Sequence, residues 1–323
     1  MIQPNQKDQL RIVFMGTPDF AIPPLLALHG SDHQVGLIVT QPDRPQGRGR
    51  KLNPPPVKKI ALKLGYEVYQ PFEFNSDEAK ERLLQIQADL FVVVAFGTIL
   101  PPNYLEIPAL GAINIHASLL PRHRGAAPIH WAILKGDQET GVTTMQLNAG
   151  MDTGDILLRA KTPILADDTA RSLHDRLSEM GGQLILKTIS GLLDDKIGPI
   201  AQDESAATYA PMLQKKDGEI DWDQPSATLS RFIRAMDPWP GAYTFCDGKR
   251  IKVFKAAPRA YPVSKPPGTV LQGFVNELLI ATKDGALSIL ELQEASGKRL
   301  AVKNYLCGCC MAPGSRLGSS CKC

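Results

Sequence analysis

Residues 90–116 read LFVVVAFGTILPPNYLEIPALGAINIH, and both ends of this stretch bear on the fold. LFVVVAF, 90–96, is apolar without alternation, so neither face of a strand built from it is suited to water. Runs of this kind lie in parallel sheets covered on both sides. GAINIH, 111–116, is the next strand, and AAPIHWAIL after it opens a helix. Upstream, LRIVFM at 10–15 ends at Gly16-Thr17-Pro18-Asp19, and a helical pattern then runs to about Leu28. VGLIV at 35–39 is another strand, and a polar loop rich in Pro and Gly covers 41–56. Helices are expected over 57–64 and 76–87, the second with Ser76 as its N-cap. Further strands fall at 142–147 and 155–160, and 167–193 is a long amphipathic helix with Asp168 as its cap. Strands alternating with helices predict an α/β domain with a doubly wound, mostly parallel sheet.

Periodicity is lost over 196–214, which reads as a linker between a first domain, 1–195, and a second, 215–323. A helical segment at 226–236 precedes short apolar runs at 242–246, 251–257, 268–271, 276–281 and 286–293. The turn pairs Asp247-Gly248, Pro267-Gly268 and Asp284-Gly285 punctuate them, so a small β-barrel or sandwich is expected. The net charge of +3 is too small to imply a partner, but it is unevenly spread: 1–200 carry −1 and 201–323 carry +4. Lys249, Arg250, Lys252, Lys255, Arg259 and Lys265 fall between Gly248 and Asn276 without an acid, which suits a polyanion or a solvated face equally. The start lacks the regions of a secretory signal, and no apolar stretch reaches about 18 residues. A cytoplasmic protein with no membrane span is therefore expected. Five of the six cysteines, Cys307, Cys309, Cys310, Cys321 and Cys323, crowd the C-terminus at spacings unlike those of zinc sites, so a reduced, thiol-rich tail is expected.

Ligands of open α/β sheets bind beyond the carboxyl ends of the strands, where GAINIH ends. Asn114 and His116 are two residues apart, so they point to one face of an extended strand. A carboxamide there can donate to an oxyanion and an imidazole can move protons, although Asn114 could equally satisfy local backbone and His116 could be a core histidine. In GMDTGD, 150–155, Asp152 sits on a Gly-bracketed loop, able to orient a histidine and take a proton or merely to close a turn. GTPDF after the first strand lacks the glycines of a dinucleotide fingerprint, and Asp19 would repel a pyrophosphate, which argues against a nicotinamide enzyme. Residues 41–59 hold six basic side chains against one Asp, consistent with a solvated excursion, a lid or a contact for a phosphate backbone. His116, His123 and His130, seven residues apart, do not form a zinc set, and no metal is expected.

VFMGTPDFA, TQPDRPQGRGRKLNPPPVK, ADLFVVVAFGTILP, INIHASLLPRHRGAAPI, ETGVTTMQLNAGMDTGDIL, QDESAATYAPML, IDW and RAMDPWPGAY together resemble the methionyl-tRNA formyltransferases over nearly the whole chain. Asn-x-His-x-Ser-Leu-Leu-Pro alone is similar to all folate-dependent formyltransferases. The resemblance implies a formyltransferase domain and a C-terminal barrel resembling an OB fold that helps bind tRNA. It implies transfer of a formyl group from 10-formyltetrahydrofolate, as co-substrate, to the α-amine of methionine on initiator tRNA. By that resemblance Asn114, His116 and Asp152 are catalytic, and Ser118, Leu119, Leu120 and Pro121 meet the folate. Arg44, Arg48, Arg50 and Lys51, in the basic loop, meet the tRNA. Arg122 and Arg124 are expected at the polar margin of the crevice, His123 and His130 are left without a role, and the protein is expected to be monomeric. Ala312 to Leu317, APGSRL, resembles the family's closing run, whereas the surrounding cysteines do not. A formyltransferase acting on a sugar-nucleotide amine would share the Asn-His-Asp centre but need no basic loop. A non-catalytic RNA-binding module would need only the barrel.

Overall fold

The computed structural model describes residues 9–46, 51–262, 265–273, 276–308 and 311–318, in two compact units. Met1–Pro128, Glu139–Pro163 and His174–Ala210 form the first. Its strands are β1 (Arg11–Gly16), β2 (Gln34–Val39), β3 (Arg44–Gln46), β4 (Lys51–Asn53), β5 (Val68–Tyr69), β6 (Leu90–Val94), β7 (Ala112–His116), β8 (Glu139–Gln146) and β9 (Ile156–Pro163). Among the described residues, seven of these make one sheet in the order β5-β2-β1-β6-β7-β8-β9. β5 through β7 in that order are parallel, and β8 and β9 add an antiparallel edge. The expected doubly wound, mostly parallel sheet is thus present. The order reverses between β1 and β6, which opens a crevice at their carboxyl ends.

All five residues of β6 are buried, as an unalternating apolar strand requires. On one face Val13, Met15, Leu37, Val39, Phe91 and Val93 pack with Ala79 and Leu83 of a helix at Asp77–Ile86. Ile12, Phe14 and Val92, at the alternate positions, are buried as completely. Each such side chain contributes about 1.5–3 kcal/mol relative to exposure.

The helices in chain order are α1 (Ile22–His29), α2 (Pro56–Lys63), α3 (Asp77–Ile86), α4 (Pro102–Leu105), α5 (Pro128–Lys135), α6 (Ala170–Leu193), α7 (Ser226–Met236) and α8 (Val302–Leu306). Ser76 caps α3 as expected, its hydroxyl accepting from Ala79 N–H at 3.3 Å. α6 begins just after Asp168 and Thr169: Thr169 Oγ1 accepts from Ser172 N–H at 3.2 Å, and Asp168 accepts from the Ser172 hydroxyl and from Leu165 N–H, both at 2.8 Å. The stretch expected as loop at 41–56 contains the antiparallel pair β3–β4. Part of the segment 196–214 is anchored rather than loose: Ile200 bridges to Ile156 and Tyr209 to Arg124.

The second unit comprises Ile129–Gln138, Ile164–Leu173 and Pro211–Cys323. Its strands are β10 (Tyr243–Cys246), β11 (Lys249–Arg259), β12 (Val270–Leu271), β13 (Leu278–Ala281), β14 (Ala286–Glu294) and β15 (Leu300–Ala301). They form an antiparallel sheet in the order β10-β11-β14-β13-β12, with β15 on β14. Asp247-Gly248 is the two-residue turn between β10 and β11. The two ends of the sheet are joined by 314–318. Gly314 N–H and Leu317 N–H donate to Val270 and Gly268 carbonyls at 2.8 and 2.7 Å, and Phe245 and Gly318 exchange bonds of 3.1 Å. The APGSRL run therefore curls the sheet and removes two open edges. Among the described residues no helix is long and apolar enough to cross a membrane.

Gly268 sits at φ +85°, where an added Cβ would stand 2.4 Å from Leu317 O. Gly268→Ala should therefore strain the turn and push the closing segment away, costing about 1–3 kcal/mol. Thermal unfolding should begin several degrees lower; an unchanged profile would contradict the closure.

Candidate active site

β7 carries Asn114 at its middle and His116 at its end, paired to Met145 and Thr143 of β8. The two side chains share a sheet face. Asn114 is half-buried, and among the described residues its carboxamide has no hydrogen-bond partner in the protein. His116 is buried, and its Nε2 lies 2.9 Å from the carbonyl oxygen of His123. A carbonyl only accepts, so Nε2 carries hydrogen and Nδ1 is the nitrogen left for chemistry. Nδ1 lies 3.6 Å from Asp152 Oδ1. That is too long for a settled hydrogen bond yet close enough for an ion pair or a shared proton. The structure thus brings Asn114, His116 and Asp152 into one unit with distinct surroundings.

Asp152 is held from several sides. Its backbone is left-handed at φ 55°, and its Oδ2 accepts from Gly125 N–H at 2.8 Å. Gly125 is at φ +113°, and a Cβ there would stand 2.9 Å from Ala210 O, so a side chain would displace this donor. Gln202 Nε2 donates to the carbonyls of Asp152 and Gly154 at 2.8 and 2.7 Å. Gln202 Oε1 in turn accepts from Arg124 Nε at 3.1 Å and Nη2 at 2.8 Å. Arg124, expected at the polar margin, is instead only 1% exposed and lies behind the site. Its Nη1 and Nη2 also grip both oxygens of Glu204 at 2.8 and 2.7 Å. This bidentate contact raises the Arg124 pKa and holds the Glu204 carboxyl below its usual range. Arg122 remains exposed.

Ser118 and Leu120 are buried, whereas Leu119 and Pro121, just beyond β7, are half-exposed. Ser118 Oγ donates to Arg122 O at 2.6 Å, and Thr143 Oγ1 joins the turn by donating to Ser118 O at 2.7 Å. In the basic loop, Arg44 is exposed in β3 and donates through Nη2 to Gln41 Oε1 at 3.3 Å. Lys51 lies in β4, while Arg48 and Arg50 lie outside the described residues. The foot of the loop is fixed by Asp43, which accepts from Lys58 at 2.9 Å and from Gln70 at 2.9 Å. Hydrogen bonds from Lys58 and then Gln70 hold the Asp43 carboxyl below its usual pKa. His130 Nε2 lies 3.2 Å from Trp239 O, and among the described residues no group of three His, Cys, Asp or Glu side chains could hold a metal ion. Sequence reasoning missed the carbonyl of His123, Arg124, Gln202 and Gly125. QDESAATYA, 202–210, was the only signal for the strap 197–210 that holds Gln202, Glu204 and Thr208, and it carries no periodicity.

The family model for formyl transferase matches residues 10–189, and the model for the formyl transferase C-terminal domain matches 212–309. The methionyl-tRNA formyltransferase of Desulfotalea psychrophila is 49% identical over 304 residues, 94% of each chain. That of Geobacter sulfurreducens is 46% identical over 311 residues, 96% of this chain and 98% of the relative. The chain belongs to the methionyl-tRNA formyltransferase family. It is accordingly a formyltransferase. The fold is also that of the N-formyltransferase of Helicobacter canadensis in complex with folinic acid and dTDP-3-aminofucose, with a TM-score of 0.63 at 19% identity, over 88% of this chain and 100% of that one.

The Arg124–Glu204 contact makes a pH prediction. A carboxyl whose pKa is depressed on folding contributes stability above its unfolded value and loses it as pH falls through the folded value. Glu204→Gln should lower the urea midpoint at neutral pH, and its deficit against wild type should narrow below about pH 4.3. A deficit that is constant with pH would contradict the ion pair.

Proposed function

We propose that Asn114, His116 and Asp152 carry formyl transfer from 10-formyltetrahydrofolate to the α-amine of methionine on initiator tRNA, in a crevice bordered by Leu119 and Pro121. The observation that carries this reading is the pair of uncommitted groups on one face of β7. One is the carboxamide of Asn114; the other is His116 Nδ1, facing Asp152 at 3.6 Å. The residues fit the co-substrate: a free amide donor for its formyl oxygen, and half-exposed apolar surface at Leu119 and Pro121 for its flat ring. When bound, the folate supplies an activated formyl carbon and, at N10, the departing amine.

The methionyl amine forms the new C–N bond, and the bond from the formyl carbon to N10 breaks. The formyl oxygen gains negative charge on the way, and Asn114 Nδ2–H donates to it. The attacking nitrogen must lose a proton and N10 must gain one, so the transfer needs a proton store rather than a net acid or base. Nδ1 and Asp152 Oδ1 suit this role. Both are acceptors when the imidazole is neutral, so between them they can take a proton from the amine and pass one toward N10. Holding two large reactants in register supplies the rest of the acceleration.

Arg44, Arg48, Arg50 and Lys51 supply charge for the acceptor end of the tRNA, and the basic second unit adds to it. The reading favours initiator tRNA over a sugar nucleotide because identity of 46–49% over nearly full length is to methionyl-tRNA formyltransferases. On this reading the enzyme works as a cytoplasmic monomer. Formylation assays with methionylated initiator tRNA and with an amino-sugar nucleotide test the choice; turnover only of the latter overturns it. Asp152→Asn should lower kcat by about 10²-fold or more with tRNA affinity nearly unchanged. Normal turnover with weakened tRNA binding would instead remove Asp152 from the chemistry.

A further inference from the structure

We infer that Gln202 is a positioning residue for the transfer, fixing Asp152 from behind, and that Arg124 determines which way its amide points. The inference rests on the catalytic reading of Asp152. Asp152 occupies a left-handed backbone conformation that a non-glycine residue holds only when its surroundings enforce it. Gln202 Nε2 reaches both carbonyls flanking that turn, of Asp152 at 2.8 Å and of Gly154 at 2.7 Å. An amide can turn over, and with oxygen and nitrogen exchanged it would repel these carbonyls. Arg124 prevents this. It has only donors, and two of them, Nε and Nη2, meet Gln202 Oε1. The guanidinium is itself locked by Glu204, and its backbone by Thr208 and Ala210, whose bonds to Arg124 are 2.8 and 2.7 Å. A chain of fixed hydrogen bonds therefore runs from Glu204 through Arg124 and Gln202 to the backbone of Asp152. On the other side of that residue Gly125 N–H holds the carboxylate at 2.8 Å. None of Glu204, Arg124 and Gln202 has its side chain within the Asn114–His116–Asp152 set, so their contribution is geometric.

The test is a double-mutant cycle in the full-length enzyme. Gln202→Glu keeps an acceptor for Arg124 but replaces the amide donor with an acceptor facing two carbonyls; Gln202→Ala removes both contacts. Each should lower kcat by about tenfold to a hundredfold, with KM for tRNA and folate within about twofold, because the loss is one of alignment. Thermal unfolding checks that both variants are folded, and the isosteric Gln202→Glu serves if Gln202→Ala is not. In an Asp152→Asn background the same changes should cost less than about twofold more, since a residue acting through Asp152 has nothing left to position. Equal losses in both backgrounds, or unchanged kcat in folded Gln202 variants, would overturn the inference alone. Full turnover by Asp152→Asn itself would overturn the catalytic reading and the positioning role with it.

Discussion

His116 donates through Nε2 to the carbonyl of His123 at 2.9 Å, and this bond decides which nitrogen can react. With Nε2 committed, Nδ1 turns toward Asp152, and rotation of the imidazole would break its bond to the His123 carbonyl. The carbonyl is itself held in place. His123 is in a left-handed conformation at φ 59°, and its N–H donates to Thr208 Oγ1 at 2.8 Å. The strap 197–210 thus acts on both members of the pair: through Thr208 it steadies the acceptor for His116, and through Gln202 it steadies Asp152.

Such a site divides its work. Strands supply position: Asn114 and His116 are held by ladders to β6 and β8, so their separation varies little. Loops supply direction, which backbone strands cannot give to a residue outside them. Asp152 has no ladder of its own and relies on Gly125, Gln202 and a strained φ. A left-handed aspartate and a buried arginine are costly in isolation, and Gln202 bonds to both.

The sequence was most legible where burial alone sets structure. LFVVVAF and GAINIH announced β6 and β7 because unalternating apolar runs have few other uses, and the i, i+2 spacing of Asn114 and His116 followed from strand geometry. The glycines around Asp152 hinted at a tight loop but not at its partner. The β3–β4 pair and β5 were not read, since strands of two or three residues, Arg-Pro-Gln, Lys-Leu-Asn and Val-Tyr, are too short to show a period. The strap was opaque for a different reason: its order comes from hydrogen bonds to residues about 80 positions away, such as Arg124 to Glu204. Arg124 was expected at the polar margin of the crevice because guanidinium groups are seldom buried, and nothing local marks one that is paired. The closing segment 314–318 likewise pairs with edges far upstream, and only its resemblance to a family motif drew notice.

The account stands on the proton of the His116 ring, and the proton can be observed. Two-bond proton–nitrogen correlations on enzyme labelled with ¹⁵N in histidine, assigned by comparison with His116→Ala, report which ring nitrogen is protonated in the neutral form. The structure predicts a hydrogen on Nε2 and a bare Nδ1, with the signal broadened or shifted when Asp152 is replaced by Asn. A neutral His116 carrying its hydrogen on Nδ1 would contradict the bond to His123, and with it the assignment of Nδ1 as the nitrogen that shares a proton with Asp152.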